Sequence, residues 1–242
     1  MANPNAVFNF LLRRLTGLST AVATAVTESD NILQAIGKLQ GQVTNIVAAA
    51  KLRYNLTSTW SALPAANSVP INTRYFVSDI GINGSDWYSD GIKWRLVNGR
   101  ITLFADNSAR VFTGSTSIAL PIFSVPANVM GDTGSIDITT LMTCNNNSNA
   151  KSFFLRYGGL SVMGIGLTSV ESAQMQTIIR NRSKTSQIAA IGTTGIVYGG
   201  ATADIRRISA DTGISQTINA EAILSQAADT VTLESIRIDL IA

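Results

Sequence analysis

Two pairs of carboxylates lie close enough in the chain to share a site: Asp86 with Asp90, and Asp132 with Asp137. A paired acid and carboxylate is what glycoside cleavage requires. Each pair also has a plainer reading. Asp90 precedes Gly91, and Asp132 sits in Gly131-Asp132-Thr133-Gly134, so both fit turns. Asp137, between Ile136 and Ile138, is expected to face solvent. The chain contains 0 histidines, which excludes a Ser–His–Asp site, and with 1 cysteine, Cys144, an ordinary zinc site is excluded as well. The glycines at 158–159 and from 192 to 200 are not followed by Gly-Lys-Ser/Thr, so they read as turns and not as a phosphate loop. The expectation is a chain without enzymatic activity and with no catalytic, cofactor-binding or metal-binding residues.

The composition favours assembly. Charged residues make up only 14% of the 242, against about 25% in ordinary folded chains. The remaining polarity comes from Ser, Thr, Asn and Gln, which hydrogen-bond without the desolvation cost of a full charge. Net charge is +3, and the closest basic clusters are Arg13-Arg14 and Arg206-Arg207, with Arg180 and Arg182 apart from both. That is no basic face, and nucleic acid is not expected as a partner. No stretch approaches the roughly 20 apolar residues of a membrane span, so no membrane insertion is expected. Arg13 and Arg14 interrupt the apolar run from Phe8 to Leu12, which argues against a secretory leader.

The elements that would carry such a chain follow from periodicity. Phe8, Leu15, Val22, Ser29, Ile36, Val43 and Ala50 recur every seven residues, and Leu11, Leu18, Ala25, Ile32, Leu39 and Ile46 recur with an offset of three. These are the a and d positions of one heptad frame. Only Ser29 breaks the apolar seam, within the N-cap-like Thr27-Glu28-Ser29-Asp30. The pattern predicts two helices, near 5–26 and 30–51, in one register and either continuous or kinked near Ser29. Isoleucine at both a and d, at Ile32 and Ile36, leans toward trimers. The expected trimerisation seam is Phe8, Leu11, Leu15, Leu18, Val22, Ala25, Ile32, Ile36, Leu39, Val43 and Ile46. A helical hairpin packed on the chain's own core is the competing arrangement.

The stretch from Thr27 to Gln40, TESDNILQAIGKLQ, resembles a segment of phage tail fibres and related virion appendages. In that group it belongs to a trimeric helical segment.

After Lys51 the pattern changes. Tyr75-Phe76-Val77, Trp87-Tyr88, Lys93–Val97 and Ile101–Phe104 are short β-type runs separated by Asn83-Gly84, Asp90-Gly91 and Asn98-Gly99. Those dipeptides supply the positive φ that tight hairpins need. All 3 tryptophans, Trp60, Trp87 and Trp94, fall here. With Arg95 and Arg100 they could line a carbohydrate or peptide site. The favoured reading makes Trp87 and Trp94 the core of a small neck. WYSDGIKWRLVNG, from Trp87 to Gly99, is similar to an element of many phage structural proteins that bridges an attachment region and a distal domain, although Leu96 replaces its usual proline.

From about residue 106 short strands are expected at 110–113, 117–121, 135–142, 151–157, 160–168, 173–181, 187–191, 195–198, 203–208, 215–222 and 229–241. Ala173, Met175, Thr177 and Ile179 share one face. Val231 and Leu233 start a face that Ile236, Ile238 and Leu240 continue after a one-residue slip, which predicts a bulge at Glu234-Ser235. Lys151–Gly159, Arg180–Arg182 and Asp229–Glu234 resemble the order of landmarks in jelly-roll-like domains of phage fibres.

The expected fold is α+β, mainly β. A trimeric coiled-coil stalk would span 1–52, a small Trp-rich β unit 53–105, and an antiparallel jelly-roll-like sandwich 106–242. The resemblances imply a virion structural protein assembled in the host cytoplasm, foremost a short homotrimeric tail fibre. Its partners would be other virion proteins at the tail, baseplate or capsid, and a host-surface glycan or protein. The loops Asn145–Ser148 and Thr193–Thr202 would be the recognition surface. The alternatives are a capsid decoration protein or head fibre and, further off, a capsule depolymerase of the tailspike kind.

Overall fold

The computed structural model describes residues 24–25, 27, 32–54, 56–115, 118–191 and 204–242. The chain is mainly β, with strands over 52% and helix over 11%.

The expected stalk is corrected. Among the described residues there is one helix, α1 (Ile32–Tyr54). Lys38 Nζ donates to Ala25 O at 3.4 Å, and Gln42 Nε2 donates to Thr24 O at 2.8 Å. In one continuous helix, residues 13 and 18 apart would be separated by roughly 20 Å and 27 Å at 1.5 Å per residue. Thr24 and Ala25 therefore lie beside α1 and do not continue its axis. A shared heptad register does not make the two stretches collinear. Gly37 and Gly41 are buried on α1. Phe8, Leu11, Leu15, Leu18 and Val22 lie outside the described residues.

The small unit is a four-stranded sheet: β1 (Leu56–Ser58), β2 (Arg74–Val77), β3 (Ser85–Ser89) and β4 (Trp94–Leu96), in that spatial order. β1 pairs parallel to β2, and the other pairs are antiparallel. Gly84 and Gly91 take φ of +73° and +90° in the turns flanking β3. Trp87, Leu96 and Tyr75 meet across the strands on one face, as do Ser89 and Trp94.

The next strand, β5 (Arg100–Asp106), pairs with the last, β15 (Thr230–Ile241), although its sequence reads as the end of the small unit. It joins the seven-stranded sheet that also holds β6 (Arg110–Thr113), β8 (Ser135–Cys144), β11 (Ser172–Ser183), β12 (Ser186–Ile191) and β13 (Asp204–Ile208). The order is β13-β12-β11-β8-β15-β5, and β6 lies against the first half of β15. Facing it is a four-stranded sheet of β10 (Leu160–Gly166), β9 (Lys151–Tyr157), β14 (Gln216–Leu224) and β7 (Ile118–Val125). A seven-plus-four division with a third sheet attached departs from the eight-stranded jelly roll.

Alternation carries the core. Ile136, Ile138, Met142, Val231, Leu233, Ile236, Ile238 and Leu240 of the large sheet are buried against Phe153, Leu155, Tyr157, Ile218 and Ala220 of the small one. Phe112 and Phe153 meet edge to face between the sheets with centroids 5.8 Å apart. The slip that keeps Ile236–Leu240 inward is a register shift between Leu233 and Ser235. The strand expected at 195–198 and the loop 193–202 lie outside the described residues. No helix among the described residues is long and apolar enough to cross a membrane, which says nothing of β-barrels.

Candidate functional site

A groove of about 620 Å³ opens where the small unit meets the sandwich. Its walls come from Trp60, Leu63, Pro64, Asp79 and Trp94 on one side and Pro126, Ala127, Asn128 and Ser215 on the other. Trp60 opens a 3₁₀ turn after β1, where Asp79 Oδ1 accepts its backbone N–H at 2.7 Å. Its indole Nε1 donates to Ala127 O at 2.8 Å, a bond that ties the small unit to the sandwich. Its ring lies 4.7 Å from Trp87, tilted by 53°. Trp94 Nε1 donates to Pro64 O at 2.9 Å, and its ring meets Tyr75 edge-on at 5.4 Å. Both indoles are thus fixed by their polar edge while remaining half-buried. Rigid aromatic surface beside a few polar groups is the usual make-up of a ligand pocket.

The two neck tryptophans therefore differ. Trp87 is buried, with its Nε1 donating to Ser85 Oγ at 2.8 Å, while Trp94 lines the groove. The seam residues divide as well. Ile32, Ile36, Leu39, Val43 and Ile46 form an exposed stripe on α1, and Ala25 is exposed outside any helix.

The carboxylates read from the sequence do not converge. Asp90 Oδ1 accepts the backbone N–H groups of Ile92 and Lys93 at 2.9 and 2.8 Å, and its Oδ2 pairs with Arg95. Those bonds, led by Lys93 N–H, lower its carboxyl to about 2. Asp86 and Asp132 are exposed. Asp137 is corrected: it is 4% exposed, because its outward side is roofed by Arg100 and Gln176. Its cross-strand neighbour is Asp239, also buried. Arg100 Nη2 bridges the two, 3.0 Å from Asp137 Oδ2 and 2.7 Å from Asp239 Oδ2, and Arg237 Nε reaches Asp239 at 2.9 Å. Burial works to raise the Asp239 carboxyl, but hydrogen bonds from Arg100, Arg237 and Thr102 outweigh it and hold the carboxyl below its ordinary range. With each carboxylate oxygen of the pair accepting from a guanidinium or carboxamide N–H, the cluster is built as a clamp between β5, β8, β11 and β15.

Sequence reasoning missed this clamp, because a charge between two isoleucines signals the outer face of a strand but not what covers it. Cys144 is half-buried, its Sγ 2.8 Å from Val170 O, and burial pushes the thiol up. Asn145 and Asn147, expected at a recognition surface, turn inward to Asp229. Among the described residues no group of three His, Cys, Asp or Glu side chains could hold a metal ion.

No family model matches the chain, and no curated protein matches its sequence. Among solved structures, dimeric latent PorU from Porphyromonas gingivalis aligns with a TM-score of 0.32 and 10% identity, over 54% of this chain and 10% of that one. The CBM2 module of the evolved Dit of Lactobacillus casei BL23 phage J-1 aligns with a TM-score of 0.32 and 12% identity, over 61% of this chain and 79% of that one. The structure of infectious bursal disease virus, Gx strain, aligns with a TM-score of 0.24 and 12% identity, over 74% and 48%. Likenesses at this level carry no argument about the groove.

Proposed function

We propose that this chain is a non-enzymatic structural component of a bacteriophage virion: a short homotrimeric tail fibre, assembled in the host cytoplasm, that grips a host-surface glycan. The groove carries the reading. Its two indoles are fixed in place before any ligand arrives, so little ordering cost falls on binding. The apolar face of a sugar ring would stack on them, while Asp79 and Asn128 take hydroxyl groups.

Two further observations support it. The segments Thr27–Gln40 and Trp87–Gly99 resemble phage appendage sequences. The exposed stripe Ile32, Ile36, Leu39, Val43 and Ile46 is a continuous apolar surface of the kind that an assembly covers. Three copies would raise the avidity of a weak single site.

Cryo-electron microscopy of the intact particle tests the proposal. Density at the tail or baseplate, with the groove outward, is the expected result. Density at capsid three-fold positions refutes the fibre and makes the chain a decoration protein. Soluble sugar fragments released from host capsule refute the non-enzymatic part.

A further inference from the structure

Lys151 is the first residue of β9, and its side chain points with Phe153, Leu155 and Tyr157 into the core. It is 1% exposed. An ammonium so placed is costly unless a carboxylate pairs with it, yet among the described residues none forms an ion pair with it. Its Nζ donates only to neutral oxygens, Asn147 Oδ1 at 2.6 Å and Asn149 O at 3.1 Å. Asp229, just ahead of β15, is also 1% exposed. Its Oδ1 accepts the carboxamide N–H groups of Asn147 at 2.7 Å, Asn145 at 2.9 Å and Asn149 at 3.1 Å, while its Oδ2 is buried with no partner. The Asn147 carboxamide thus stands between a buried amine and a buried carboxylate. Its Oδ1 also accepts the Asn149 backbone N–H at 3.1 Å.

We propose that Lys151 and Asn147 join in an intramolecular amide bond, with Asp229 as the group that moves the proton. The geometry supplies each part. Nζ lies 2.6 Å from Oδ1, so Cγ, about 1.23 Å beyond, is within ~3.8 Å of the amine, close to attack distance. The Asn149 N–H donates to the oxygen on which negative charge develops. Asp229 touches Nδ2, the nitrogen that leaves.

The step balances without a further reagent. The Lys151 ammonium releases one proton to solvent, and the amine attacks Cγ. In the tetrahedral adduct Nζ and Nδ2 share one carbon, so the two oxygens of Asp229 can serve both. Oδ2 takes the surplus proton of Nζ, and Nδ2 receives a proton from the same carboxyl. The Cγ–Nδ2 bond breaks and ammonia leaves. An amine and a carboxamide become one secondary amide plus ammonia, and a buried positive charge becomes a neutral group. Asn145 and Asn149 act as positioning residues, since they hold Asp229 where it meets Nδ2.

Intact-mass spectrometry of the denatured full chain tests the proposal. The expected mass is one ammonia below that encoded. Trypsin should leave the bond after Lys151 uncut, and fragment spectra should join Lys151 to Asn147. Lys151→Arg keeps a cation above the same acceptors but has no attacking amine, and it should show the full encoded mass. Asp229→Asn should close slowly or not at all. A wild-type chain of full encoded mass, cut normally after Lys151, overturns the proposal. So does an ammonia loss that persists in Lys151→Arg, which would place the loss at an asparagine succinimide. Should the variants fail to fold, the wild-type mass and its fragment spectrum decide alone.

Discussion

Replacing Arg100 with leucine should expose how the large sheet holds two carboxylates together. Asp137 and Asp239 face each other across β8 and β15, 4% and 2% exposed, and Arg100 touches both. Directly opposed side chains sit about 5 Å apart at Cβ, where two unit charges at an effective dielectric of 20 repel by roughly 3 kcal/mol. Removing the partner of a buried charge costs about 3–5 kcal/mol when nothing remains. Here something does remain: Gln176 Nε2 stays 3.0 Å from Asp137 Oδ1, and Arg237 Nε stays 2.9 Å from Asp239 Oδ1. Arg100 is itself half-exposed, so solvent takes over part of its role. A loss of about 2–3 kcal/mol at pH 7 follows. The pH dependence gives the sharper signature. In the wild type the Asp239 carboxyl is held low, so its contribution is present above the unfolded value near 4 and fades as pH falls through the folded one. In the variant, protonating one carboxyl relieves the repulsion, so the deficit should shrink between pH 7 and pH 4. Urea unfolding followed by tryptophan fluorescence at both pH values measures it. A deficit below about 1 kcal/mol at pH 7, or one equal at both pH values, would refute the clamp.

Three further outcomes are expected. Asp90→Ala should lower the melting temperature at neutral pH, and the gap should close as pH falls from near 4 toward about 2, where the wild-type carboxyl protonates; calorimetry across that range checks the sign. Trp87→Ala should cost about 3–5 kcal/mol in urea unfolding, as for other buried tryptophans, whereas Trp94→Ala should cost less and abolish the proposed glycan binding, measured by calorimetric titration. A Cβ at Gly134 would lie 2.3 Å from Met130 O, while one at Gly166 meets nothing within 4 Å. Gly134→Ala should therefore destabilise by about 1–3 kcal/mol and Gly166→Ala by almost nothing, again by urea unfolding.

Legibility followed the physics of each signal. A period of two fixes which face a residue takes, and most strands and the bulge before Ser235 follow from it. It does not fix the partner, so β5, seemingly continuous with the Trp-rich unit, gave no sign of belonging beside β15. The parallel pairing of β1 was equally invisible in a three-residue strand. The heptad spacing recorded a true apolar stripe on α1, but nothing in the stripe signals that Ala25 lies beside Lys38 instead of extending the helix. At the groove, the clustering of tryptophans signalled shared surface. Which of them is buried depends on Ala127 and Pro64, whose carbonyls hold the other two indoles by their edges. The loop Asn145–Ser148 read as a recognition surface because nothing in it announces Asp229, far along the chain.

The placement of β15 has a consequence for how the protein comes to exist. β15 is bonded on one side to β8 and on the other to β5 and β6, joining Asp106 to Ile236 and Arg110 to Leu233. On a ribosome those earlier strands emerge long before their shared neighbour, and β5 and β6, which pair with no other strand, must wait with both edges open. Sheets closed by such distant contacts fold slowly, and open edges during the delay invite pairing with other nascent chains. The sandwich is thus a late-closing structure, and its yield in a cell should respond to chaperone supply and growth temperature more steeply than the stability of the finished fold would imply.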